Sequence, residues 1–546
     1  MYQKTAFTQL EIPEFYMPFG GKLNSNNRWV RLKALIPWEE IEDLYSSEFS
    51  SRGPKALKAQ IALGALIIKE RLNISDRETV EQIQENPYLQ YFIGFEEFSD
   101  KLPFDASSMV HFRKRFTAEI IQQINESLCL NKKIDEDQDD DTPKGGGSEE
   151  SKEPNQGQLI VDATCTPADI TYPTDMKLLN DSREKLEEVI DRLHTQRVEG
   201  KKPRTYRQKA RKDFLRFIKN KKATKNQRRA ALRKQLSYVK RNLKHIEYLK
   251  EEVGLRSLDR VLYRKLLVIN EIYRQQQELY DRRSMSISDR IVSVSQPHIR
   301  PIVRGKTGKK YEFGAKISVS VSEGFSFLDR LSWNAYNENE DLKSQIETFK
   351  QRFGHYPESV HADQIYRSRE NRAFCKERGI RLSGKPLGRP PKDEKKNKEQ
   401  AKQFRQDEAI RVAVEGKFGQ GKRRFGLGRI MAKLSETSES VIALIFLIMN
   451  LEKRLANAFL SCFVFIYALF KNAVSTFYHF PHRVLENRLI DNFTKGGRKA
   501  LFSKPYLLTF SMNSGLKSAQ LLACPLVVCG GLVWQRSTQI VSKNWC

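Results

Sequence analysis

The stretch Leu159-Ile160-Val161-Asp162-Ala163-Thr164 decides how this chain is read. Three apolar residues, two of them β-branched, predict a short buried strand, and that strand ends in a carboxylate. An acid on an apolar strand is expensive unless it is paired or bound to a metal. Lone strand-end aspartates are also common in loops, so the meaning of this one depends on partners elsewhere. Working outward, Tyr356-Pro-Glu-Ser-Val360-His-Ala-Asp363 is a second short strand ending in an acid. Between the two, period-two alternation at Lys316-Ile317-Ser-Val319-Ser-Val321, the turn Ser322-Glu-Gly324 and Phe325-Ser-Phe327 form a hairpin signature. Leu342, Ile346, Phe349 and Phe353 mark a helix after it. Past Asp363 the chain runs through Tyr366 into a helix over Glu370 to Arg378, then a third short strand, Ile380-Arg-Leu-Ser383. Gly388-Arg-Pro-Pro-Lys392 and the charged run to Lys402 read as a linker.

A third acid stands in Arg411-Val-Ala-Val-Glu415-Gly-Lys-Phe-Gly-Gln-Gly-Lys422-Arg423-Arg424, alone in a cationic, glycine-rich segment. At about 100° per residue, Arg411, Glu415 and Lys422 project from one helix face, an acid between two cations. A phosphodiester with a divalent metal suits that layout. Gly416, Gly419 and Gly421 each cost a helix on the order of 1 kcal/mol, which close approach of a DNA backbone would explain. An ordinary solvated face with an i,i+4 ion pair accounts for the same residues, and on this stretch alone it is the stronger reading.

Charge narrows the partner. Lys+Arg number 95 against 67 Asp+Glu in 546 residues, a net +28 with pI ≈ 9.6. Such a field favours a polyanion, nucleic acid first and a membrane surface second. The 7 cysteines are scattered, with no Cys-x-x-Cys pair and no histidine at zinc spacing, which argues against a disulfide scaffold or zinc module and for reduced thiols in a cytosolic protein. Met1-Tyr-Gln-Lys-Thr-Ala-Phe carries no secretory pattern. The apolar runs Ile442 to Leu451 and Leu455 to Phe470 are interrupted by Glu452-Lys453-Arg454, and each falls short of the roughly 20 residues of a spanning helix. Buried core helices, and no membrane partner, are expected.

The organisation follows from these signals. Residues 1–132 read as a helical N-terminal domain whose helix, turn, helix arrangement suits a DNA groove or plain packing. It has a helix over Ala56 to Leu72, a capping box at Ser75-Asp-Arg-Glu78 and a further helix bearing His111, Arg113, Lys114 and Arg115. Residues 133–157 are an acidic flexible linker. Residues 158–455 hold the strands and acids, interrupted at 176–290 by a basic helical hairpin. Its seams are Leu232, Leu236, Val239, Leu243, Ile246 and, past Gly254, Leu258, Leu262, Leu266, Ile269, Tyr273. Within it the tract Lys201 through Lys244, dense in Lys and Arg and interleaved with aromatic residues, reads as a phosphate-contacting surface or as a solubilising face. Residues 456–546 have no assigned role.

Strand with Asp162, hairpin, helix, strand with Asp363, helix, strand, helix with Glu415: this order matches an α/β, ribonuclease H-like mixed sheet with a long helical insertion after its first strand. In that topology the first and fourth strands are neighbours and the three acids converge, where mutual repulsion calls for cations. At this point the chain resembles the DDE-type transposases of bacterial insertion sequences, in the branch with a Tyr-x2-Arg-x3-Glu-x6-Lys signature. Arg411, Glu415 and Lys422 match that signature in type and spacing, and Glu408 stands where the tyrosine belongs. Other stretches in the same order look like that family: Val161-Asp-Ala-Thr-Cys-Thr-Pro-Ala-Asp-Ile170 with Pro173-Thr-Asp175, His361-Ala-Asp-Gln-Ile-Tyr-Arg-Ser-Arg-Glu-Asn371, Leu387-Gly-Arg-Pro-Pro391 and Ile445-Phe-Leu-Ile-Met-Asn450.

The resemblance implies a DNA transposase of a bacterial insertion sequence, located in the cytoplasm at the nucleoid and working as a homodimer on double-stranded DNA, both the terminal inverted repeats and the target. Asp162, Asp363 and Glu415 would be catalytic and bind two Mg²⁺ or Mn²⁺ ions. Arg411, Lys422, Tyr366, Arg423 and Arg424 would contact DNA. Glu408 leaves a hairpin cleavage route without its tyrosine. His361 is a weaker candidate for a general base, since metal-activated water needs none. Two other readings stay open: a catalytically inactive, transposase-derived DNA-binding protein, and a nuclease of the same fold without strand transfer.

Overall fold

The computed structural model describes residues 21–47, 49, 56–130, 154–197, 199–303, 311–385 and 394–477, the last segment by its backbone alone beyond 458. Most of the acidic linker, the Leu387–Pro391 motif and most of the C-terminal region lie outside these residues.

The chain begins with short helices: α1 (Arg28–Ala34), α2 (Trp38–Ser47), α3 (Ala59–Leu72), α4 (Asp76–Glu85), α5 (Pro87–Phe92), α6 (Ser108–Arg115) and α7 (Ala118–Leu130). The apolar run of α3 is buried nearly all round, as a helix hydrophobic on every side must be. Ser75 caps α4 by accepting from the Glu78 N–H, and Asn86 caps α5 with Pro87 in its first turn. The cationic cluster on α6 divides. Arg113 is buried and forks onto Asp76 at 3.0 and 2.6 Å, a structural pair between α6 and α4 and not a free phosphate contact, while His111 and Lys114 face solvent.

The sheet follows: β1 (Gln158–Pro167), then, after the helical insertion, β2 (Arg300–Val303), β3 (Tyr311–Ser322), β4 (Phe325–Ser332), β5 (Ser359–His361) and β6 (Arg381–Leu382). Its order is β2-β3-β1-β5-β6, with β4 also paired to β3. β1 runs antiparallel to β3 from Ile160↔Val321 to Pro167↔Gly314 and parallel to β5 from Gln158↔Ser359 to Ile160↔His361. The first and fourth strands of the sequence reading are therefore neighbours. β1 does not end at Asp162: Ala163 to Pro167 continue it, each paired with β3. What ends near Asp162 is β5.

Alternation along β1 sends its residues to two cores. Leu159 and Val161 pack with Leu342, Ile346 and Phe349 of α12 (Asp341–Phe353) and Cys375 of α13 (Arg369–Glu377). Ile160, with Ile317, Val319 and Val321 of β3, joins a larger core. That core holds Val414 and Phe418 of α14 (Glu394–Arg424), Ile442 to Leu451 of α15 (Ser435–Phe477), and the N-terminal helices. α14 begins at Glu394, so part of the charged run read as a linker is helical, its lysines and glutamates being good helix formers. Ile442 to Leu451 is buried as expected, and among the described residues no helix is long and apolar enough to cross a membrane.

Asn450 ties three elements of that core together. It donates to Asn125 Oδ1 (2.9 Å) on α7 and to the Ser326 carbonyl (2.8 Å) on β4, and accepts from the Ser326 N–H (2.9 Å), with no surface exposed. Truncation would leave several buried polar groups without partners. Asn450→Ala is expected to cost about 3 kcal/mol, read as a lowered urea midpoint with an unchanged m-value.

The insertion has more helices than the expected hairpin: α8 (Asp175–His194), α9 (Arg207–Lys219), α10 (Lys225–Val253) and α11 (Arg260–Arg282). Leu179, Leu186, Val189 and Ile190 of α8 close the core that the two seams of α10 and α11 begin.

Candidate active site

Asp162 sits on the α14 face of β1, at the level where β5 has ended. Asp363 lies two residues beyond β5 and caps the 3-10 turn Gln364–Tyr366, accepting from the Gln364 N–H at 2.7 Å. Parallel pairing of the two strands thus brings both carboxylates to one end of the sheet. Burial pushes the Asp162 carboxyl up to about 6; the Ala163 N–H and Arg411 oppose the rise, and Glu338 and Asp363 add to it. A carboxylate in this setting carries negative charge that its surroundings do not neutralise, and a hard oxygen donor set of this kind suits a divalent cation such as Mg²⁺.

Glu415 is placed differently. Its side chain is 53% exposed and takes an ion pair from Arg411 at 3.1 Å. Arg411 also reaches Glu408 at 3.4 Å. Burial works against its charge, but Glu408, Glu415 and Asp363 more than offset that. Among the described residues no three carboxylate, imidazole or thiol groups stand close enough to hold one metal ion. Asp363 lies near enough to Asp162 to add to the rise of its pKa, whereas Glu415 is held in an ion pair by Arg411. The guanidinium Nε of Arg411 is buried and has no hydrogen-bond partner.

The cations of α14 divide in the same way. Lys422 donates to Thr164 Oγ1 on β1 at 2.8 Å, which anchors the helix to the strand carrying Asp162. Arg423 is exposed, and Arg424 pairs with Glu452 at 3.1 Å. The glycines have separate reasons. A Cβ on Gly421 would meet Leu427 at 3.0 Å and Met449 Sδ at 3.3 Å, whereas one on Gly416 would point into open space. Packing against Leu427 of the following turn and Met449 of α15 therefore accounts for Gly421.

Tyr366 is 0% exposed in the core of α12 and α13, and its hydroxyl has no partner. The DNA contact expected of it is not open to its side chain in this structure. His361 is also fully buried, between Ser359 Oγ (3.1 Å) and Asp407 (3.6 Å), with burial lowering its pKa. It packs strand against helix. Sequence reasoning missed Glu338, in the 3-10 turn Glu338–Glu340 before α12. Lys316 holds it at 2.8 Å, and Asn371 ties its turn to the one Asp363 caps by donating to the Asn339 and Tyr366 carbonyls (2.8 and 2.9 Å). Its sequence signal, the first of two acids in Asn-Glu-Asn-Glu, is that of any solvated turn.

Comparison with known proteins gives the family. Residues 360–452, which carry Asp363 and Glu415, match the family described as transposase DDE domain, and residues 18–115 match a transposase domain of the DUF772 type. The chain is 31% identical over 156 residues, 29% of its own length and 69% of the relative's, to an uncharacterized protein, ORF8 in the nfe locus of Rhizobium meliloti. The chain belongs to the DDE-type insertion-sequence transposases. No solved structure matches this transposase. The DDE-domain match begins at Val360, so Asp162 lies outside it, on the strand that pairs with β5.

Proposed function

We propose that this transposase cuts DNA phosphodiesters at the ends of its element and joins the freed 3′-hydroxyl to target DNA, with Asp162, Asp363 and Glu415 as the acids. The observation that carries this reading is the pairing of β1 with β5, which brings two carboxylates to the same end of the sheet, near a cationic helix. The strand order, with β1 between β3 and β5, supports a ribonuclease H-like sheet. Divalent ions held by these acids, two in this reading, would supply Lewis acidity at the phosphoryl oxygens.

The chain's own groups prepare the site. Lys422, fixed to Thr164, holds a positive charge beside β1, and Arg411, once turned from Glu415, would offer its guanidinium to a phosphate oxygen. In the first step a water oxygen bonds to phosphorus as the bond to the 3′ oxygen breaks, and that oxygen leaves with a proton. In the second, the 3′-hydroxyl oxygen bonds to a target phosphorus and displaces its 3′ oxygen. Glu415 completes the acid set once Arg411 exchanges it for phosphate. Two ends must be held together, so a homodimer on DNA is part of the proposal, as are a cytoplasmic, nucleoid-associated location and contacts from the exposed Arg423.

Purified protein with Mg²⁺ is expected to nick a plasmid at the boundaries of its element's terminal repeats and to leave 3′-hydroxyl ends that join to target DNA. Nicking spread evenly over the plasmid would replace the proposal with a nuclease. The half-exposed, Arg411-bound Glu415 favours a second reading, DNA binding without chemistry. Terminal-repeat binding with no nick in Mg²⁺ or Mn²⁺ would establish that one instead.

A further inference from the structure

Charge is concentrated in one part of the insertion. Lys201 to Lys244 hold 19 Lys and Arg and one acid, Asp213, so 44 residues carry 19 − 1 = +18 of the chain's +28. Around this tract the insertion pairs its cations with acids: Arg183 with Glu187 at 2.5 Å, Arg197 with Glu252 at 2.6 Å, Arg274 with Glu271 at 2.6 Å. The facing sides of α9 and α10 do not follow that pattern. Lys209, Lys212 and Arg216 from α9 meet Arg229, Arg233 and Arg241 from α10 across a groove of about 880 Å³. Asp213 is engaged by the Tyr238 hydroxyl at 3.0 Å and by Lys234 at 3.7 Å.

Two of these cations are held by rings. Arg229 lies 4.0 Å from the Tyr280 ring centroid, and Arg241 lies 4.8 Å from Tyr206 and 5.6 Å from Tyr238. Ring faces orient a guanidinium and leave its charge uncompensated. Lys209, Lys212, Arg216 and Arg233 are exposed, and among the described residues none is in an ion pair with a carboxylate. α9 itself buries little besides Ala210, so it contributes charge more than packing. Like charges facing one another repel, and a polyanion between them removes the repulsion. Arg229, Arg233 and Arg241 fall at multiples of four residues along α10, a cationic row about 18 Å long at 1.5 Å per residue, or roughly five base pairs of duplex.

We propose that the α9–α10 groove grips the phosphate backbone of duplex DNA, sequence-independently and apart from the carboxylate site. It rests on the reading that this chain acts on DNA and adds where the duplex is held outside the cleavage point. The test is a salt titration of affinity for a random-sequence duplex by fluorescence anisotropy, comparing the full chain with a Lys212→Gln, Arg216→Gln, Arg233→Gln variant. These side chains are exposed, so circular dichroism and melting temperature should not move. Three lost phosphate contacts are expected to flatten the log–log salt slope by about 3, at roughly 0.9 per contact, and to weaken binding about a hundredfold or more at moderate salt. An unchanged slope in a variant whose parent binds duplex would overturn the groove and leave the DNA reading standing. A parent that binds no duplex would overturn both. Loss of binding to phosphatidylserine-containing vesicles with duplex binding retained would assign the groove to a membrane surface and overturn the proposal.

Discussion

Asp363→Ala is expected to bind terminal-repeat DNA as the parent does and to nick it about 10³-fold more slowly, a loss of roughly 4 kcal/mol of transition-state stabilisation. Asp363 is also the cap of the turn leading to α13, and loss of such a cap costs about 1 kcal/mol of stability. Asp363→Asn separates the two effects. Asparagine caps as well as aspartate does, so that variant should keep the parent's melting temperature and still fail to nick. Single-turnover nicking of an end-labelled duplex measures the rate, and gel shift measures binding. Parental nicking by either variant would remove Asp363 from the chemistry.

The second large effect has the opposite sign for stability. The folded-state pKa of Asp162 is raised by burial to about 6 from 3.8. A raised carboxyl binds its proton more tightly in the fold than in the unfolded chain, so its favourable contribution is complete below about pH 4 and is lost as pH rises through 6. About two pKa units amount to about 3 kcal/mol of destabilisation at neutral pH. Asp162→Asn is therefore expected to raise stability by about 2 to 3 kcal/mol at pH 7.5, to give little gain at pH 4, and to abolish nicking. Mg²⁺ at neutral pH should raise the melting temperature of the parent and leave that of the variant where it is. Urea midpoints at the two pH values measure the first effect and thermal melts with and without Mg²⁺ the second. A variant less stable than its parent at pH 7.5 would show that this carboxylate is paired, not stranded.

The order of elements around Asp162 and Asp363 was legible because period-two and helical patterns survive in the sequence, and strand order follows from them. Three features were not. β1 continues past its acid through Ala-Thr-Cys-Thr-Pro, a stretch without an apolar run to mark it, because each residue pairs with β3 from Ser318 to Gly314. Tyr366 stands among polar neighbours in sequence, yet the 3-10 turn rotates its ring into the core of α12 and α13. Arg113 read as one of a basic cluster, and its partner Asp76, 113 − 76 = 37 residues earlier, is adjacent only after α4 and α6 pack. The same limit applies to Glu415: spacing placed it on one helix face with Arg411 and Lys422, and could not say that Arg411 would take it as its own partner.

The proposed chemistry requires Asp162 and Asp363 to share a divalent cation that Glu415 joins when DNA is present. A crystal of the chain on an uncleaved terminal-repeat duplex, soaked in Mn²⁺ and measured at the manganese edge, tests this directly. Anomalous density touching Asp162 and Asp363, with Glu415 turned away from Arg411 toward the ion and Arg411 on phosphate, is the expected result. Density elsewhere, or Glu415 still paired with Arg411 beside a bound scissile phosphate, would contradict it.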